Sequence, residues 1–175
     1  MTANLLLVSG MGFATAWSMF QIKTSFVVFA AAALAFLAFP VRAANPPADP
    51  AAVARIMAGQ RDCPHCVLAG ADLTNQCVKG GNLTGADFDG TRLVLACMSK
   101  ANFKDASFRG ADLSGANLAN SDLDGADFSG AVLNITSFKG TDLTHALGLT
   151  QAQLDAACGD ARTRAPVGLT VRQCK

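Results

Sequence analysis

A five-residue period controls what this chain can become. Written in fives from Cys66, the sequence reads CVLAG ADLTN QCVKG GNLTG ADFDG TRLVL ACMSK ANFKD ASFRG ADLSG ANLAN SDLDG ADFSG AVLNI TSFKG TDLTH, sixteen units without insertion that end at His145. The third position is Leu nine times and Phe five times, with Val78 and Met98 completing the set. The first position is Ala nine times, and the last is Gly nine times. Neither the roughly 3.6-residue period of a helix nor the two-residue alternation of a strand returns every fifth residue to one face. A chain that turns a corner every five residues does. Its large third and small first residues then point inward, while the second, fourth and fifth face solvent. One large and one small side chain per side fill the interior without voids. Each central Leu or Phe contributes about 1.5–3 kcal/mol through burial. Gly at the fifth position suits corners that need unusual dihedrals.

The units ADLTN, ADFDG, ANFKD, ADLSG, ANLAN, ADFSG and TDLTH carry a resemblance over residues 66–145. They resemble the pentapeptide-repeat family, whose units read Ala-(Asp/Asn)-Leu-x-x. The resemblance implies an all-β solenoid, a right-handed quadrilateral parallel β-helix of about four coils, with five residues to a side and four sides to a coil. Adjacent coils pair like parallel strands, about 4.8 Å apart. Residues twenty apart then lie above one another. Side one stacks Leu68, Phe88, Phe108 and Phe128, and side two stacks Leu73, Leu93, Leu113 and Leu133. Side three stacks Val78, Met98, Leu118 and Phe138, and side four stacks Leu83, Phe103, Leu123 and Leu143.

A solenoid's ends expose apolar interior and unpaired backbone, so both need covers. Within residues 44–62, Asp49-Pro50 reads as an N-cap and first helical residue, followed by Ala51 to Ala58 and a stop at Gly59. Val53, Ile56 and Met57 are expected on the inner face of that capping helix. The solenoid is assigned to residues 63–145, and residues 146–175 to a C-terminal capping helix and tail. Thr150-Gln151-Ala152-Gln153 matches a capping box. That helix is expected to run to about Cys158, with Gly159 at its end, as members of the resembled family often close.

Residues 1–43 read as an address. They hold six of the eleven Phe and only Lys23 and Arg42 as charges. The basic Lys23 region, the apolar run from Ser25 to Phe39 and the small-x-small pattern Val41-Arg42-Ala43 match a secretory signal peptide. The run is shorter than the roughly 20 residues of a spanning helix. The competing reading is an uncleaved anchor. Residues 1–18 make an over-long start, with Met11 and Met19 as alternative initiators. The expected location is periplasmic or secreted, with no membrane attachment after cleavage.

Export makes disulfides the first reading of Cys63, Cys66, Cys77, Cys97, Cys158 and Cys174. Six cysteines allow fifteen pairings. Cys158 at the end of the C-terminal helix and the penultimate Cys174 are expected to bridge and pin the tail over the cap. Register sets Cys77 above Cys97 on side three, compatible with a bridge, which leaves Cys63 with Cys66. Cys63-Pro64-His65-Cys66 also resembles the dithiol site of periplasmic thiol oxidases, where a helix N-terminus activates the first cysteine. Here no strand–helix pattern follows it. The same residues offer three zinc ligands but no fourth. The sequence therefore gives no catalytic residues, no cofactor and no metal site, and His65 and His145 form no constellation.

Without residues 1–43 the body holds 12 Lys/Arg against 13 Asp, with no Glu, a net charge of −1. That lacks the basic excess of a nucleic-acid binder. Some members of the resembled family are implicated in mimicking DNA to shield a topoisomerase. That role needs a long acidic face, and Arg92, Lys104, Arg109 and Lys139 interrupt the Asp columns here. Asp72, Arg92 and Asp112 are expected to stack as a surface charge ladder. Asn82-Leu83-Thr84 and Asn134-Ile135-Thr136 spell glycosylation sequons by coincidence of the repeat. Val94, Leu95, Val132 and Ile135 depart from the pattern, placing apolar groups where polar residues or Gly usually stand, and mark a candidate interface. The expected function is a non-catalytic structural or protein-interaction module of the cell envelope, with a homodimer as one form of partnership. The alternative is a periplasmic thiol–disulfide redox protein using Cys63 and Cys66.

Overall fold

Each side of the spiral is too short to form a strand. The computed structural model describes residues 46–175; the expected signal segment lies outside the described residues. From Val67 to Asp127, the second residue of each quintet makes a single parallel bridge to the residue twenty later. The first coil pairs Val67 with Asp87, Asp72 with Arg92, Cys77 with Cys97 and Asn82 with Asn102. The β-solenoid is therefore a four-sided ladder of single bridges, with no continuous strand among the described residues.

The corners explain the brevity. The amide of each new quintet donates to the carbonyl of the preceding third residue, as from Ala71 to Leu68 and Ala106 to Phe103, both 3.0 Å. From His65 to Gly140, every fifth residue has positive φ. Positive φ at the third residue of a four-residue turn is the type II signature. The remaining amides bond along the axis. Leu113 N donates to Val132 O at 2.9 Å, and Asp112 N to Thr91 O at 3.0 Å.

The second-position Asp and Asn side chains brace the same corners. Asp72 Oδ1 accepts from Thr74 N at 3.1 Å, Asp112 Oδ1 from Ser114 N at 3.0 Å and Asn117 Oδ1 from Ala119 N at 3.0 Å. Such local rings suit short polar side chains, which accounts for the preference for Asp and Asn here. Hydrogen bonds from Thr74, Ser114 and Thr144 hold the Asp72, Asp112 and Asp142 carboxyls below their ordinary range.

Inside, the third residues superpose as their bridges dictate. Phe88 and Phe108 stack with ring centroids 4.9 Å apart, and Phe108 and Phe128 at 5.1 Å, with planes 4° and 7° from parallel. Leu73, Leu93, Leu113 and Leu133 line side two, all buried. At the first position, Thr91, Thr136 and Thr141 are buried without penalty because each hydroxyl donates to a carbonyl one coil below: Leu68 O at 2.8 Å, Leu113 O at 2.8 Å and Leu118 O at 3.1 Å. Ser121 does the same to Met98 O. The hydroxyls take the place of Ala while satisfying otherwise half-used acceptors.

The spiral begins one unit before the repeat spelling. Arg61-Asp62-Cys63-Pro64-His65 lies on side four, with Cys63 N bonded to Asn82 O at 2.8 Å and His65 N to Thr84 O at 2.9 Å. Cys63 thus occupies an inward third position and is buried. Below it sits helix α1, Pro50–Met57, capped by Asp49 Oδ1 accepting from Ala51 N. Its buried face is Ala52 and Ile56, with Val53 half-buried, whereas Met57 is 58% exposed, contrary to the expected face. Ala52 and Ile56 are four apart and share one stripe, and the next residue turns about 100° away from it.

At the other end the ladder outlasts the repeat. Leu147 pairs with Asp127, and helix α2, Gln151–Ala156, then interrupts the coil. Cys158 rejoins at Ser137 and Arg164 at Asp142. The helix was expected to reach Cys158 but ends at Ala156, because Cys158 N is taken by Thr136 O and Cys158 O by Phe138 N. The Thr150–Gln153 capping box is present. Gln153 Nε2 also donates to Phe128 O and Ala131 O, both 2.9 Å, closing two carbonyls of the last full coil. Leu154 is the buried plug. Asp160 ties the tail down by accepting from Gly140 N at 2.9 Å and Arg162 N at 3.0 Å. Desolvation opposes its ionisation, but these donors, the Arg162 guanidinium and the Thr163 hydroxyl outweigh it and hold the carboxyl at about 2.

Two measurements test this architecture. Leu113→Asp puts an unpaired carboxylate at a fully buried site, a cost beyond the roughly 2–5 kcal/mol of truncating a core Leu. Its urea transition should lose cooperativity, and a soluble, cooperatively unfolding variant would contradict the inward assignment. For Asp160 the folded value is depressed, so its contribution is present above its ordinary value of 3.8 and lost as pH falls toward about 2. The melting-temperature difference between the native chain and Asp160→Asn should shrink to nothing across that window. A difference independent of pH would refute the assignment.

Candidate functional site

The corner between sides two and three carries the strongest departure from the repeat. Its column, twenty residues apart, is Asn75, Leu95, Gly115 and Ile135. Leu95 has φ of 57° and Ile135 of 58°, in the left-handed region. That region penalises any residue with a Cβ, and β-branched Ile most. Both side chains face solvent, Leu95 59% and Ile135 73% exposed. Neither is held there by the core.

Gly115 lies between the two in the column. A Cβ on Gly115 would come within 2.6 Å of Leu95 Cδ2. Leu95 therefore lies across the coil that separates it from Ile135. Leu95 and Ile135 lie on alternate coils, and the sequence signal for the glycine between them is its place twenty residues from each. Val132 is 42% exposed on the flat of side two, above Asp112, and Val94 is half-buried beside Leu95. Ile135 also edges a recess of about 500 Å³ shared with Cys158, Arg172 and Cys174.

The cysteines separate into three environments. Cys63 and Cys66 form a disulfide with Cα atoms 5.5 Å apart, and both are buried. Arg55 Nη2 lies 3.5 Å from Cys66 Sγ, and the pair runs directly into the ladder at Val67 rather than into a helix. His65 is exposed and its ring lies against Gly85. Cys158 and Cys174 form a disulfide with Cα atoms 4.9 Å apart, beside the parallel bridge of Gly159 with Gln173. Cys77 and Cys97, expected as a third bridge, are free thiols. Directly opposed Cβ atoms in a parallel ladder stand at the rung spacing of about 4.8 Å, wider than the roughly 3.8 Å mean of a disulfide. The Cys77 thiol, hydrogen-bonded to Cys97, raises the pKa of Cys97, and desolvation adds to it.

Charges on the sides are paired locally. Arg92 Nη1 is 3.7 Å from Asp72 Oδ2, with both side chains mostly exposed, a contact worth little. On side four, Asp124 accepts from Lys104 Nζ at 3.1 Å and meets His145 Nδ1 at 2.9 Å. Those two hydrogen bonds, Lys104 first, lower the Asp124 carboxyl, and the same contact raises Lys104. Asp122, Asp124, Asp142 and His145 line one shallow recess. Arg164 Nη1 lies 3.5 Å from Asp142 there. Among the described residues, no three His, Cys or Asp side chains converge as metal ligands. No described helix is long and apolar enough to cross a membrane.

The comparisons with known proteins agree on the repeat. The family model described as pentapeptide repeats matches in eight copies at residues 66–105, 111–147 and 121–158, together just over half of the chain. Among solved structures, the pentapeptide repeat protein Rfr23 from the cyanobacterium Cyanothece 51142 is 21% identical, with 66% of this chain and 97% of that chain covered and a TM-score of 0.41. AT2G44920, a pentapeptide repeat protein from the Arabidopsis thaliana thylakoid lumen, is 31% identical, with 56% and 77% covered and a TM-score of 0.28. QnrB1, a plasmid-mediated fluoroquinolone resistance protein, is 27% identical, with 55% and 58% covered and a TM-score of 0.34. No curated protein matches the chain. With the repeat matched over that span and a parallel ladder stepping every twenty residues, this chain belongs to the pentapeptide-repeat family.

Proposed function

We propose that the mature protein is a non-catalytic scaffold of the cell envelope, periplasmic or secreted, that binds a protein partner along the Leu95–Ile135 ridge. One observation carries this reading: two exposed aliphatic residues occupy left-handed corners where nine other quintets use Gly. Each such residue costs of order 1–3 kcal/mol. Exposed aliphatic side chains return none of that to the isolated fold, and burial against a partner does. The location rests on the signal-peptide pattern that ends at Ala43. The thiol–disulfide alternative needs an accessible, activated Cys63, whereas Cys63 is 1% and Cys66 7% exposed. Topoisomerase shielding by DNA mimicry needs a continuous acidic face, and Arg92, Lys104 and Arg109 each pair with an Asp within the columns.

Stability and binding should move in opposite directions at this ridge. Ile135→Gly relieves the corner and should stabilise the mature chain by about 1 kcal/mol. The same change, alone or with Leu95→Gly, should weaken capture of envelope proteins by the immobilised mature chain at least about tenfold, equivalent to about 1.4 kcal/mol. Capture unchanged by the double variant would reject the ridge as the contact. Sedimentation of the native chain distinguishes a second copy from a different partner.

Processing and redox behaviour are checked separately. N-terminal sequencing of the exported protein should begin at Ala44; retention of Ser25–Phe39 in a membrane fraction would replace export with anchoring. Native protein should react with a thiol reagent at two sites, Cys77 and Cys97, and should not catalyse insulin reduction. Turnover lost in Cys63→Ser would establish the redox alternative.

A further inference from the structure

Cys77 and Cys97 are the residues the solenoid itself does not explain. Both stand at the second position of side three, on consecutive coils, joined by a parallel bridge. That position holds Asp or Asn in nine quintets, where the side chain closes the corner by accepting the amide two residues on. A thiol is a poor substitute acceptor. Nor do these thiols fill the core: Cys77 is exposed and Cys97 half-exposed. The other four cysteines are consumed in disulfides.

The ladder fixes the spacing of the pair. In-register residues on neighbouring coils stand about 4.8 Å apart. A zinc–thiolate bond is about 2.3 Å long, so on that scale two sulfurs on opposite sides of one soft ion stand about 4–5 Å apart. The rung distance is a backbone spacing; rotation about each Cα–Cβ bond lets the two free thiols reach opposite sides of one ion, and two donors make a linear, two-coordinate site. Zinc requires four ligands, and among the described residues no further His, Cys or Asp converges on the pair to make a third. Above Cys97 the column continues with Asn117 and Ser137, and the exposed Lys79 follows Cys77 on the same side. Soft thiolate ligands select Cu(I) among the ions that accept so few donors.

We propose that Cys77 and Cys97 form a two-thiolate site for a soft monovalent cation of the Cu(I) class, clamped between two rungs of the ladder. Binding breaks two S–H bonds and forms two S–Cu bonds. The two protons pass to solvent, no electron is transferred, and the product is a bis-thiolate complex of charge −1. The Lys79 ammonium, on the same side, offsets that charge. The solenoid supplies the preorganisation, because neither cysteine backbone has to move.

The test uses the mature chain with both disulfides intact, kept under argon. Cu(I) is supplied as its acetonitrile complex and competed against the chelator bathocuproine disulfonate. One equivalent per chain should be held, with thiolate-to-metal absorption in the ultraviolet and no change in sedimentation. Cys77→Ser and Cys97→Ser should each weaken binding by more than the roughly 10–100-fold expected from losing an outer partner of a metal site. Their urea transitions should match the native chain, since both residues lie on the surface. Less than half an equivalent, a complex of two chains per metal, or Cu(I) retained by the double Ser variant would each overturn the assignment.

Discussion

The hydrogen bond from one coil's amide to the next coil's carbonyl is the constraint everything else obeys. Because each side contributes only one bridge and then turns, the coil-to-coil bonds must form in register at every side or at none. A slip by one residue would rotate Leu113 and its neighbours into solvent and the Asp column into the shaft. The penalty for burying those carboxylates is large, so the register is held by polarity as firmly as by apolar packing. The stacked phenylalanines of side one follow from that register and reinforce it.

The shaft and the corners were legible in the sequence because the same physics repeats at each unit. A five-residue spacing of Leu and Phe fixes which residues are buried, and twenty residues per turn fixes which are superposed. The ends were less legible. Cys63 sits in the third position of a unit whose spelling, Arg61 to His65, has no Ala or Gly to announce it. Met57 faces outward because a helix of eight residues offers only one narrow stripe to the coil below. Helix α2 stops at Ala156 because the backbone of Cys158 is claimed by the ladder, a tertiary demand that local helix signals do not carry.

The candidate ridge was half legible. Its aliphatic residues stand out against the repeat, but they lie on alternate coils with one coil between them. Between them stands Gly115, whose missing side chain leaves room for Leu95 to lie over it. The cysteines teach the converse. Spacing of twenty put Cys77 above Cys97, as found, yet superposition at the rung distance leaves two thiols in place of one bond. Proximity along a solenoid and bonding geometry are different requirements.

Helix α2 occupies the place of one side in the final turn, and the ladder then resumes with offsets of twenty-one at Cys158 and twenty-two at Arg164. The spiral thus tolerates extra residues when they leave and return at adjacent corners. A foreign loop of modest length, grafted into the same gap, would be displayed at the tip of a rigid post, with its two anchor points already fixed in space.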